Sequence, residues 1–258
     1  MRTRRVIATV APKGGVGKTF VAKVLYDLLP SHGRRVTAWD LDAATGTFAV
    51  YHDDIKTFDL QETQSSYSWL DDCHRDDIDD VLIDVPGGRI NDLLRTFGDD
   101  SVEALVTAVA DTGRELVIVS PIGVMIAETV TAQVVLNAFA GTGARVVIVK
   151  NGRFGSPHDF VIYDGIQVGG ERRYGATSDL AASIGAESIF LNCLSPSLLA
   201  QSDAERLRLI EAAGPIGAKR LGQLGATRMR VYLAAISADF RGTSIDLEGA
   251  VPTRGLVR

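Results

Sequence analysis

Ala11-Pro12-Lys13-Gly14-Gly15-Val16-Gly17-Lys18-Thr19 gathers three glycines, two lysines and a hydroxyl in nine consecutive positions. Those residue types suit a polyanion. Glycines let successive backbone N–H groups converge on one concavity, and a lysine adds a full positive charge. With a di- or triphosphate in that concavity, Lys18 reaches the β- and γ-phosphates and the Thr19 hydroxyl ligates Mg²⁺. Two further acidic signals follow. Asp40-Leu41-Asp42 closes the run RVTAWD with two carboxylates on one face of an extended segment, and Asp84 closes the apolar run Val81-Leu82-Ile83 ahead of Val85-Pro86-Gly87-Gly88.

Such groups need elements that aim them. Residues 6–11 (VIATVA) are short and β-branched and read as a strand, whereas 18–29 (KTFVAKVLYDLL) repeat their apolar residues at helical spacing. The glycines therefore fall where a strand becomes a helix, with the positive helix end toward the loop. Strands are expected again at 35–40, 81–84, 115–121, 145–150 and 188–192, with a short one at 160–163. Helices are expected at 91–110 with a break near Gly98, at 125–140, at 198–210 and at 222–240. Alternation of this kind implies right-handed crossovers and an α/β fold, a mainly parallel, doubly wound sheet flanked by helices. Carboxylates at the carboxyl ends of such strands lie where open sheets bind ligands.

The loop fits x-K-G-G-x-G-K-[ST] and not G-x-x-x-x-G-K-[ST], because Pro12 stands where the common pattern has glycine and Lys13 is an additional lysine. It resembles the deviant Walker A motif of the ParA/MinD family of P-loop ATPases, a family that includes plasmid proteins of the TraL and StbB type. The resemblance implies ATP and Mg²⁺ as ligands, with residues 12–20 (Pro12, Lys13, Gly14, Gly15, Val16, Gly17, Lys18, Thr19 and Phe20) around the nucleotide. It implies slow hydrolysis by an ATP-bound homodimer in which Lys13 crosses to the nucleotide of the other subunit. Asp42 then positions the attacking water and Asp40 supports the metal side. Asp84 looks like a Walker B residue holding Mg²⁺ through water, since Mg²⁺ takes few protein carboxylates. Gly87 turns its N–H toward the γ-phosphate, residues 43–48 form a nucleotide-sensing switch, and Asn151 reads the adenine edge. Most ParA-like loops have a second hydroxyl after the Mg²⁺ ligand, where this chain has Phe20. An apolar residue there and the run Asp42-x-x-x-x-Thr47-Phe48 are shared with TraL-type sequences. The resemblance is specific over residues 5–120, thinner to 151 and nearly absent beyond.

The 258 residues, 46% hydrophobic, suffice for one P-loop ATPase domain over 1–258, with a helical part at 197–240 and a flexible tail at 242–258. Cys73 and Cys193 stand apart without a CxxC, which points to a reducing, cytoplasmic setting and excludes a thiolate metal site or a cluster-bearing electron carrier. The N-terminal apolar run is too short for a signal peptide, and no stretch approaches a membrane span. Nor does the tail carry the basic amphipathic helix of a membrane anchor. Eleven acidic residues between 53 and 84 read mostly as a solvated face. With a net charge of −5, any DNA contact must be local. The basic window 206–230 supplies candidates for nonspecific DNA contact in Lys219, Arg220, Arg228 and Arg230. A protein partner or cargo adaptor is the other expected ligand of the dimer. Two alternatives stand beside the partition-type ATPase: a nucleotide-dependent adaptor with negligible hydrolysis, and a metabolic ligase resembling dethiobiotin synthetase.

Overall fold

The structure is a computed structural model that describes residues 3–42, 46, 48–58, 60, 68–95 and 101–247. Its centre is β1 (Arg5–Thr9), buried along its whole length. The other strands are β2 (Val36–Asp40), β3 (Lys56–Thr57), β4 (Asp80–Asp84), β5 (Glu115–Ile122), β6 (Arg145–Asn151), β7 (Ile166–Val168), β8 (Glu171–Arg173) and β9 (Glu187–Leu191). Among the described residues, seven of them form one sheet in the order β3-β2-β4-β1-β5-β6-β9, and every neighbouring pair is parallel. The α/β, doubly wound fold read from the sequence is the fold observed.

The helices are α1 (Lys18–Ser31), α2 (Ser68–Cys73), α3 (Ile90–Arg95), α4 (Val102–Asp111), α5 (Ile126–Phe139), α6 (Val161–Asp164), α7 (Ala176–Ser183), α8 (Pro196–Ala204), α9 (Leu209–Ala212), α10 (Pro215–Arg220) and α11 (Gly222–Asp239). They cover both faces of the sheet because successive strand residues point to opposite sides. Ile7, Leu82, Val117 and Val147 pack with Leu25, Leu209 and Ile236 on one side. Val6, Val81, Ile118 and Ile148 pack with Trp69, Leu105 and Leu136 on the other. Strands covered on both faces explain the near-continuous apolar runs. Strand order reverses at β1, between β4 and β5, which opens the ligand crevice at its carboxyl end. The register there aligns Thr9 with Asp84 and Asp84 with Asp40 across three adjacent strands.

Several expectations are corrected. Residues 160–163 are not a strand: a 3₁₀ turn at Pro157–Asp159 leads into α6. The Ser156–Asp159 capping contacts start that helical segment, and Phe160 and Tyr163 are buried at helical spacing. The strands of this region are β7 and β8, an antiparallel hairpin about Gly169-Gly170, both at positive φ. The helix expected at 198–210 is broken. α8 ends at Ala204, Arg206 takes a left-handed φ of 49°, and buried Asp27 accepts the Leu209 N–H at 2.6 Å, which fixes the start of α9. Most of the described acidic window is solvated as expected, with Asp53, Asp54, Asp71, Asp76 and Asp77 exposed, while Asp72 and Asp80 are buried and paired with Lys56 and with Arg5 and Arg34. Of the tail, Ile245 and Leu247 are buried and Ser244 donates to Glu187, so 242–247 is docked. Residues 248–258, and Ala43, Ala44, Thr45 and Thr47 of the expected switch, lie outside the described residues. No helix among the described residues is long and apolar enough to cross a membrane.

Candidate phosphate-binding site

The loop between β1 and α1 is shaped by glycine. Gly15 and Gly17 have φ of 82° and 99°, a left-handed region that side chains rarely adopt. Gly17 is required twice, because a Cβ there would lie 2.2 Å from Asn151 Nδ2. It precedes α1, whose N-terminus has no side-chain cap, so the positive helix end faces the loop. A Cβ at Gly14 or Gly15 would meet nothing within 4 Å. The concavity is open at its mouth.

Behind it, Asp84 is held from two sides. Thr9 Oγ1 donates to Asp84 Oδ1 at 2.6 Å, and Thr19 Oγ1 donates to Asp84 Oδ2 at 2.7 Å. Burial raises this carboxyl to about 6 despite those two donors. Lys18 is also buried; burial lowers its pKa, and the charges of Asp84 and Asp42 act the other way. Lys18, Asp42 and Asp84 therefore form one electrostatic group, assembled from α1, the end of β2 and the end of β4. Asp40, at the end of β2, accepts three backbone N–H groups. Its Oδ1 accepts the Asp42 N–H at 2.9 Å, and its Oδ2 accepts the N–H groups of Phe48 and Ala49 at 2.9 and 3.1 Å. Asp40 thus anchors the chain on either side of the expected switch.

Gly87 packs against the loop. A Cβ there would stand 3.1 Å from Gly14 Cα and 3.2 Å from Lys18 Nζ, so any side chain would press on the loop or the lysine. Lys13 is half-exposed, with its Nζ 3.6 Å from Glu128 Oε1 in the first turn of α5. Asn151 is buried; its Nδ2 donates to the Val16 carbonyl at 3.0 Å and its Oδ1 accepts the Arg153 N–H at 3.0 Å. In this arrangement it ties the phosphate loop to the end of β6.

Beyond Gly17 a cavity of about 560 Å³ runs from Lys18, Thr19 and Phe20 toward Arg153, Cys193 and Leu199. Phe20 packs its ring against the α1-side core. Lys23 and Asp203, joined at 2.5 Å, close the far wall. The sequence reading missed Thr9, whose signal is a lone hydroxyl in an apolar strand. It also missed the α8 side of the cavity, which carries no local motif. The four DNA candidates lie apart from this site. Arg220 donates to Glu205, Arg230 donates to the Ala213 carbonyl and to Thr227, and Lys219 and Arg228 are exposed.

Residues 7–255 match the model of the CobQ/CobB/MinD/ParA nucleotide binding domain. The septum site-determining protein MinD of Pyrococcus horikoshii OT3, solved with Mg-ADP, is 14% identical with a TM-score of 0.50, covering 89% of this chain and 96% of that one. A nucleotide-binding protein of Archaeoglobus fulgidus in complex with ADP is 21% identical with a TM-score of 0.48, over 79% and 87% of the two chains. The cell division ATPase MinD of Pyrococcus furiosus is 16% identical with a TM-score of 0.47, over 90% and 97%. A comparison with the curated proteins gives no match.

Proposed function

The chain belongs to the CobQ/CobB/MinD/ParA family of nucleotide-binding domains, and from that premise we propose that it is an ATP-driven switch. It binds ATP with Mg²⁺, hydrolyses it slowly, and dimerises in the ATP state to hold a partner, with 1–258 acting as one ATPase domain. The observation that carries this reading is the Thr9–Asp84–Thr19 chain of hydrogen bonds beside buried Lys18. The residues present fit the ligands. The open concavity over Gly14 and Gly15 suits phosphates, the hydroxyl–carboxylate pair suits a hard cation, and the cavity toward α8 suits a nucleoside.

Hydrolysis of this kind asks the protein for charge and position. Mg²⁺, when bound, neutralises charge on the β- and γ-phosphate oxygens. Thr19 would hold it directly and Asp84 through water, with Thr9 fixing the carboxylate. A charge on Lys18 would sit in a buried setting, where it would act more strongly on a phosphate than it would in water. Asp42 would orient the attacking water and Gly87 would direct its N–H to the γ-phosphate. Lys13, on leaving Glu128, would reach the nucleotide of the other subunit. Asn151 supports the loop from behind, and Phe20 forgoes one hydrogen bond, worth about 0.5–1.5 kcal/mol. Phe20 and the run from Asp42 to Phe48 favour the plasmid TraL/StbB branch. The partner is then plasmid DNA or a cargo protein, in partition, plasmid maintenance, conjugative transfer or cargo positioning.

Lys18→Ala should abolish binding of a fluorescent ATP analogue and, with it, dimerisation. Asp42→Ala and Lys13→Ala should bind the analogue normally while phosphate release falls by about a hundredfold or more. Wild-type turnover in Lys13→Ala would exclude a lysine acting across the dimer.

A further inference from the structure

At the amino end of the sheet, away from the phosphate loop, four charged residues of alternating sign begin four neighbouring strands. Arg5 opens β1, Glu115 β5, Arg145 β6 and Glu187 β9. The register sets Arg5 beside Glu115, Val117 beside Arg145 and Val147 beside Glu187. Each charge lies two residues before Ile7, Val117, Val147 or Ile189, which pack on one side of the sheet, so all four side chains leave by that side. Together with Arg34, just after α1, and Asp246 they line a cavity of about 630 Å³. A small molecule fits such a volume.

The outer two charges of the row are engaged within the protein. Arg5 donates to both Asp80 oxygens, at 2.9 and 3.0 Å, and to the Ser244 carbonyl at 3.0 Å. Glu187 accepts the Ser244 N–H and hydroxyl, each at 2.7 Å. The segment carrying Ser244 is thus held from β1 and from β9, and it spans β5 and β6 between them. Arg34 also pairs with Asp80, so the charges of Arg5, Arg34, Asp80 and Glu187 cancel. The inner two differ. Glu115 and Arg145 are exposed, and no ion pair or side-chain hydrogen bond joins either of them, or Asp246, to another described residue. The cavity therefore offers one unused cation and two unused anions, and a complementary molecule brings the reverse. A planar guanidinium matches a carboxylate, and carboxylates match ammonium groups. Glu115 and Arg145 are diagonal neighbours about 8 Å apart at Cα, near enough for the two α-groups of one molecule.

We propose that this cavity binds a basic amino acid, with its α-carboxylate on Arg145, its α-ammonium on Glu115 and its side-chain ammonium on Asp246. The site is separate from the phosphate loop and does not depend on the nucleotide reading. The test is isothermal titration calorimetry of the full chain, without nucleotide, using three probes. These are L-lysine, cadaverine, which lacks the carboxylate, and ε-aminocaproate, which lacks the α-ammonium. Wild type should bind lysine about tenfold or more tighter than either of the others. Arg145→Ala should lose the preference over cadaverine, and Glu115→Gln the preference over ε-aminocaproate. Both positions are exposed strand ends, so each variant should melt within about 3 °C of wild type. Should one melt lower, the other is read alone. Absence of lysine binding at millimolar concentration, equal wild-type affinity for cadaverine, or preferences that survive the substitutions would overturn the inference.

Discussion

Burial raises the Asp84 carboxyl to about 6 from an ordinary 3.8, although Thr9 and Thr19 both donate to it. Between those two values the folded chain binds a proton that the unfolded chain has released, so this residue's contribution to stability falls as pH rises through that window and is lowest above about 6. At neutral pH the ionised carboxylate therefore costs the ligand-free protein about 1–3 kcal/mol. Asp84→Asn keeps an oxygen for one of the threonines and removes the charge. It should raise the Mg²⁺-free melting temperature at pH 7 by several degrees while phosphate release is lost. A lower melting temperature at pH 7 would refute the assigned cost. The lysines, Thr19 and the carboxylates were legible because their types and spacing are local. Thr9 was not, because its role depends on the register that sets it opposite Asp84. The engagement of Asn151 with Val16 and of Asp40 with Phe48 was hidden for the same reason: each bond joins segments distant in sequence or separated by a loop.

Between β2 and β3 the chain packs an aromatic group against α1. His52 meets Tyr26 at 5.0 Å and Phe48 at 6.0 Å between ring centroids, and neither of its ring nitrogens has a hydrogen-bond partner among the described residues. Burial, with the charges of Arg208 and Lys23 nearby, lowers it to about 4, against a smaller opposing effect of Asp54. The sign here is opposite to that of Asp84. The unfolded chain takes up the proton first, so the stability contributed by neutral His52 is complete above about 6.5 and lost as pH falls toward 4. Over pH 4–6 the two residues offset each other, and the wild-type profile conceals both. His52→Phe keeps a ring in the same packing and should be up to about 3 kcal/mol more stable than wild type at pH 4, with a smaller difference at pH 7. Urea midpoints across that range measure it, and parallel profiles for the two proteins would exclude His52 as the acid-sensitive group. Strands and helices buried by one continuous pattern were readable from sequence, as with β1, β5 and α1. The break between α8 and α9 was not, because Asp27, far upstream, captures the Leu209 N–H and Arg208.

Across the whole molecule a net charge of −5 supplies no long-range pull toward DNA, so the local arrangement of cations decides. Spacing alone counts Lys219, Arg220, Arg228 and Arg230 as equals, and four neutralised phosphates would give log K against log salt a slope of about −3.6. The fold makes them unequal. Arg230 donates to the Ala213 carbonyl and Thr227. Arg220 lies 3.3 Å from Glu205 in an exposed pair; such a pair is worth under about 1 kcal/mol, but the carboxylate stays beside it and opposes a phosphate. Lys219 and Arg228 are exposed and outside these bonds, so a DNA-binding chain should show a slope near −1.8, and Arg228→Ala should reduce it to about −0.9. Fluorescence anisotropy of a labelled duplex over a salt series, with ATP present, measures both. A wild-type slope near −3.6 would mean that Arg220 and Arg230 exchange their internal acceptors for phosphates. No binding at low salt would remove DNA as the partner and leave a protein cargo.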